Sequence, residues 1–294
     1  MSELTTTQGR GTSSVTAAAI VPGDGAMERV IRPAKRRIRF LDMFGEGQII
    51  RVLAARDLKV KYKQSLLGPL WLVFQPLALL AGFLVGFRGL GHVQTAGVPY
   101  VVFALVGLTV WSFFQASMTI GTACVISNPQ YVRSTPCPRI AFPPAAIITS
   151  LPAFGITAAG AVIAAAVTGS LSPRVLLLPL ATLWLMALTL GAVWMTSALT
   201  VRYRDMNSAL PFFLQVGIFL APVGYPIDKL SSAVQAIVSV NPLTGVLEAT
   251  RWIVLSGYHP SPGPIIAAAV TSILIVFAGW RVFSRLETTM ADDI

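Results

Sequence analysis

Charge is what this 294-residue sequence has least of: Asp, Glu, Lys and Arg make up 12% of it, and mean hydropathy is +0.71. A soluble domain carries about 25% charged residues, so this depletion excludes an ordinary soluble fold and leaves an integral membrane protein. Cysteine is scarce too. Cys124 and Cys137 are the only two, which rules out a disulfide framework. Histidine is equally rare, with His92 and His259 both in loops between apolar runs, so a zinc cluster has no ligand set and each ring reads as a solvated side chain. The pattern G-x-x-x-x-G-K-[ST] is absent, so the chain has no P-loop to cradle a nucleoside triphosphate. Near the N-terminus no uninterrupted apolar stretch suggests a cleaved signal peptide. The net charge of +10 is not organised into a basic patch interleaved with stacking aromatics, which argues against nucleic acid as a partner.

What is present is a set of long charge-free runs. They cover 24 residues from Gln64, 44 from Gly89, 34 from Ile140, 27 from Val175, 22 from Met206, 18 from Leu230 and 29 from Trp252. A helix crosses the hydrocarbon with ~20 apolar residues. The runs therefore predict an all-α membrane protein with six transmembrane helices, at about 65–87, 99–127, 145–168, 174–200, 207–225 and 262–283. The third of these begins after a loop rich in proline, Pro136, Pro138, Pro143 and Pro144. The 18-residue run is interrupted by polar residues and split by Asn241-Pro242, which fits two short re-entrant helices between spans five and six. With both termini in the cytoplasm, 18 of the 22 Lys and Arg fall inside, which is the orientation that the positive-inside bias favours.

Residues 1–45 read as a largely disordered cytoplasmic segment, rich in Ser, Thr, Gly and Ala over its first 27 positions; 46–64 read as an interfacial helix, 65–285 as the transmembrane domain and 286–294 as a cytoplasmic tail. The stretch "RDLKVKYKQSLLGPLWLVFQPL" stacks Arg56, Lys59, Lys61 and Lys63, with Asp57 among them, directly against an uncharged run. Ile49, Leu53 and Val60 share one helical face, with Arg56 and Lys63 close to it. Long basic side chains can lay their stems on apolar surface and keep the charge among lipid headgroups, each contributing ~1 kcal/mol near an anionic leaflet. A plain positive-inside stop signal accounts for the same charges.

The order Arg56-Asp57-Leu58-Lys59-Val60-Lys61-Tyr62-Lys63-Gln64, Leu67-Gly68-Pro69-Leu70-Trp71 and Gln75-Pro76 resembles the entry segment of the ABC-2 type polysaccharide export permeases. So do Arg204-Asp205 with the later Ala221-Pro222-Val223-Gly224-Tyr225-Pro226, and Asn241-Pro242-Leu243 with Glu248 and Arg251. The resemblance implies the membrane subunit of an exporter of lipid-linked polysaccharide, of O-antigen, teichoic acid or galactan type, in the bacterial inner membrane. It implies a homodimer around one pore, with a separate ATPase subunit on each half that carries the ATP and Mg²⁺; this chain itself needs no cofactor. Asn128, Tyr131, Arg133, Arg139, Phe142 and Pro143, together with Arg204 and Asp205, become candidates for contact with the ATPase. The loop they occupy departs from the family pattern, because Pro136 and Pro138 crowd a segment that is usually more basic.

No charged residue lies in the interior of the six expected spans, which speaks against ion-coupled transport and against a membrane glycosyltransferase. Glu248 and Arg251 lie three apart and can pair on a helix. With Tyr225, Asn241 and Pro242 they are candidates for an outer gate, the pair either pinning the re-entrant helices or acting in gating directly. Aromatic faces hold a sliding glycan without fixed register, so Trp71, Phe74, Phe113, Phe114, Phe212 and Phe219 are candidates for channel lining; lipid-facing or interhelical packing explains the same residues. Trp252, Tyr258, Trp280 and Phe283 suit interfacial belts. The leading expectation is thus an ATP-driven polysaccharide exporter, with an ABC-2 exporter of a small lipid or drug as the alternative.

Overall fold

The computed structural model describes residues 46–63, 70–91, 95, 97–130, 138–287 and 290. Among these the architecture is entirely helical, apart from an isolated antiparallel bridge between Leu171 and Leu255. In chain order the α-helices are α1 (Gly47–Lys63), α2 (Trp71–Phe83), α3 (Tyr100–Ala123), α4 (Phe142–Ile148), α5 (Leu151–Val167), α6 (Leu178–Arg202), α7 (Asp205–Leu220), α8 (Ser232–Val240), α9 (Pro242–Val254) and α10 (Pro262–Leu286). A π-helix, Leu84–Leu90, continues α2. Four stretches are long and apolar enough to cross a membrane: Tyr100–Ala123, Arg139–Val167, Pro173–Arg202 and Pro262–Leu286. The other two expected spans are shorter here. One is α2 with its π continuation; the other is α7, whose 16 residues reach ~24 Å at 1.5 Å per residue.

Helix α3 is the centre of the bundle. It packs on α2, α4, α5, α6, α7 and α9, and Val102, Phe103, Ala104, Val106, Leu108, Val110 and Phe113 are all buried along it. A helix apolar on every side belongs in a core or a membrane, and this one is in both environments at once. The largest helix–helix contact joins α6 to α10. It closes at Gly191 and Gly279, where a Cβ on Gly279 would overlap the Gly191 carbonyl and one on Gly191 would sit 2.6 Å from Val276 Cα. Small residues let two backbones approach where lipid offers no hydrophobic drive for association.

Prolines mark most helix starts. Pro143 and Pro144 lie in the first turn of α4 rather than in the preceding loop, because a missing N–H costs nothing where no intrahelical acceptor exists. The chain turns again at Thr149-Ser150, where Pro152 starts α5. Pro222 holds Ala221 in an extended conformation (ψ 138°), and α7 stops there. Asn241 is likewise extended and caps α9 by accepting from Leu243 N at 3.1 Å, with Pro242 as the first helical residue. The expected pair of short helices about Asn241-Pro242 is thus α8 and α9. Helix α5 ends in a Schellman motif: Gly169 (φ 67°) donates to Ala166 O and Ser170 to Ala165 O.

The surface helix α1 presents a different face from the one its apolar spacing suggested. Ile50, Leu53 and Ala54 are buried, against α4, while Val60 is 70% exposed. Position 54 carries only a methyl group, so the helix seats closely on that side; Ile49 and Val60 lie rotated away from it. The turn after Cys124 and the turn at Arg139 both meet this helix, and Arg139 in turn meets Glu287, so these segments make up one end of the bundle, the basic end.

Candidate functional site

Two polar assemblies stand out, one at each end of α3. At the end away from the basic residues, Arg251 on α9 has no solvent exposure. Its Nη1 donates to Glu248 Oε1 at 3.1 Å, and its Nη2 donates to the carbonyls of Pro222 and Val223, each at 2.7 Å. The guanidinium carbon lies 3.6 Å from the centroid of the Phe103 ring. The other carboxylate oxygen of Glu248 accepts from Tyr258 Oη at 2.7 Å. Tyr100 Oη donates to Gly224 O at 2.9 Å, so α3 holds the same broken segment after α7 from its own side. Gly107 is required beneath it, since a Cβ there would be 2.5 Å from Val223 O and 2.8 Å from Arg251 Nη2. A charge this deeply buried needs a partner and hydrogen bonds; the two terminal nitrogens of Arg251 have them, joining α9 to the Ala221–Pro226 break, while its Nε is buried without an acceptor among the described residues.

The spacing of Glu248 and Arg251 announced their pairing. It did not announce Tyr100, Phe103, Gly107 or Tyr258, whose signal was no more than an aromatic or a glycine in an apolar run. Tyr258 and Phe283 are corrections: both are buried, Tyr258 against Glu248 and Phe103, rather than placed in an interfacial belt. Of the other outer-gate candidates, Tyr225 is half-buried, donates to Phe219 O at 2.8 Å and stacks at 5.9 Å on Phe87. Asn241 and Pro242 act as the cap and first residue of α9.

At the basic end, Arg56 Nη2 donates to Asn128 Oδ1 at 2.7 Å, and its Nε and Nη2 reach Asp57 Oδ1 at 2.8 and 2.6 Å. Asn128 Nδ2 in turn donates to Cys124 O at 2.8 Å. Arg56 is therefore tied to the protein, while Lys59, Lys61 and Lys63 are exposed on the last turns of α1. Arg139 Nη1 donates to the backbone carbonyl of Glu287. Burial pushes the Glu287 carboxyl up to about 7, with Arg139 pulling weakly the other way.

Arg204 and Asp205 are exposed at the start of α7. Phe142 and Pro143, expected to face a partner, are instead buried within the chain; as first residues of α4 they lie at its packed start, and α1 covers that helix. Tyr131 and Arg133 lie outside the described residues. Among the aromatic candidates, Trp71, Phe74, Phe212 and Phe219 are exposed, and Phe114 is half-buried. Phe113 is a correction: it is 2% exposed and packs edge-on against Phe154 at 5.2 Å, because it points into the α3–α5 seam.

The sequence matches known proteins along most of its length. Residues 48–255 match the family described as ABC-2 type transporter. The O-antigen export system permease protein RfbA of Myxococcus xanthus is 23% identical over 245 residues, covering 82% of this chain and 94% of its own length. A protein of the same name from Klebsiella pneumoniae is 26% identical over 247 residues, covering 83% and 94%. The polysialic acid transport protein KpsM of Escherichia coli is 20% identical over 245 residues, covering 82% and 94%.

Proposed function

The chain belongs to the ABC-2 type transporter family, and from that premise we propose that it is the membrane permease subunit of an ATP-driven polysaccharide exporter. Its cargo in this reading is a lipid-linked glycan of O-antigen, teichoic acid or galactan type, moved from the cytoplasm to the outer side of the inner membrane. The observation that carries the proposal is alignment along 94% of the length of relatives named as O-antigen export permeases.

Six crossings complete the reading, with α2 plus its π-helix and α7 as the two short ones and both termini in the cytoplasm. The distribution of Lys and Arg supports that orientation. Two copies enclose the pathway, and each engages one ATPase subunit through the basic end, where ATP and Mg²⁺ are held by the partner. Exposed Trp71, Phe74, Phe212 and Phe219 supply weak, repeated contact to sugar rings. Helices α8 and α9 dip from the outer side, and the Arg251 assembly anchors them.

Depletion of this chain in its native cells tests the proposal. Full-length lipid-linked glycan should accumulate on the cytoplasmic leaflet while synthesis continues. Normal surface glycan with no accumulated intermediate would sink it, and export of a small lipid or drug would then be the reading to pursue.

A further inference from the structure

Both ends of the Asn128 amide are committed, and to different elements. Its oxygen takes the Arg56 guanidinium from the surface helix α1, and its nitrogen holds the carbonyl of Cys124, the residue that closes α3. Asp57 braces Arg56 from the same turn of α1, and Ile50, Leu53 and Ala54 fix that helix on α4. From Cys124 the helix α3 runs 24 residues, ~36 Å, without a proline or a π-turn, to Tyr100, Phe103 and Gly107. Those three residues are the α3 side of the Arg251 assembly. One unbroken helix therefore carries a polar clamp at each end.

We propose that Asn128 is a positioning residue for transport: it clamps the surface helix to the end of α3, so that displacement of the segment after residue 128 moves α1 and α3 as one body. This rests on the reading above, in which an ATPase partner pushes on the basic end. Without the clamp, the push reaches α3 and leaves α1 behind, and ATP turnover continues with little glycan moved. The carboxamide is matched to this task. An acceptor alone would hold Arg56 and lose Cys124, and a donor alone would do the reverse.

The test uses the whole permease–ATPase complex in vesicles, with lipid-linked glycan purified from depleted cells. Asn128→Ala and Arg56→Gln should each lower glycan moved per ATP hydrolysed by about tenfold, the size of one lost charge-assisted hydrogen bond. The readout is this ratio, whatever either variant does to the hydrolysis rate itself, and the double variant should be no worse than either single one. A merely structural role would lower hydrolysis and transport in parallel, and independent roles would multiply the two losses; either result overturns the proposal. A second readout needs no cargo. Spin labels at Val60 and Ser127 should report one narrow distance distribution with and without ATP, broadened by Asn128→Ala. An unchanged distribution in the variant refutes the clamp. If instead labels behave as stated while the parent complex moves no glycan, the cargo assignment fails and the clamp stands.

Discussion

At position 251 a guanidinium survives without solvent because its terminal nitrogens and its face meet complementary groups: a carboxylate, two carbonyls and an aromatic ring. Breaking a buried pair from one side leaves an uncompensated charge and costs ~3–5 kcal/mol, whereas replacing both members with apolar groups of similar volume costs much less. Glu248→Ala should therefore lower the melting temperature of the detergent-purified protein more than Glu248→Leu combined with Arg251→Met. Equal losses would show that the pair contributes no such asymmetry. Glu287 makes a pH-dependent counterpart at the basic end. Its carboxyl is raised from 4.5 to about 7 by burial, so the folded chain binds the proton more tightly than the unfolded chain. Stability from this group is complete below pH 4.5 and declines as pH rises toward 7, with no further change above it. Melting at pH 5 should exceed melting at pH 8, and Glu287→Gln should flatten that difference; an undiminished slope in the variant would assign it to another group.

Glycines show how an element's role escapes its own sequence. Gly155 and Gly279 both sit inside charge-free runs and look alike in the chain. A Cβ at Gly155 meets nothing within 4 Å, whereas at Gly279 it overlaps the backbone of α6. Gly155→Ala should therefore leave folding intact, and Gly279→Ala should separate α10 from α6 and cost at least ~1–3 kcal/mol. Yield and melting of the two variants decide the matter, and equal behaviour would mean that the α6–α10 crossing relaxes freely. Helix α7 follows the same logic. Leu210, Leu214 and Ile218 form a narrow buried stripe, and Phe212, Phe213, Val216 and Phe219 face outward. The expected span of about 207–225 ran past Pro222, but the helix stops at Leu220, before it; which stripe it buries depended on its neighbours α3 and α6.

For the molecule as a whole, the charge bias predicts sidedness. A chain whose Cys137 is replaced by serine, carrying a single new cysteine at Tyr203 or at Ser231, should react with an impermeant maleimide from the cytoplasm in the first case and from outside in the second. Both positions are exposed. Labelling of both from one side would refute the orientation. The exporter reading itself belongs to this scale, because it needs a pathway between copies and work from a partner, and neither is a property of one residue or helix.

Composition and spacing alone determined that this is an α-helical membrane chain, roughly where its long apolar helices lie, and that Glu248 can pair with Arg251. Those features are local: hydrocarbon thickness sets run length, proline removes a donor at a fixed position, and a helix brings residues three apart onto one face. The resemblance of three ordered motifs pointed to the family before any fold was known. Tertiary structure alone decided that Arg56 grips Asn128, 72 positions away, that Arg251 grips the carbonyls at Pro222 and Val223, and that Phe113, Phe142 and Pro143 are buried rather than presented. Contacts between distant segments depend on how helices rotate and cross, and that is fixed by side-chain shape and by which glycines let backbones meet, not by periodicity.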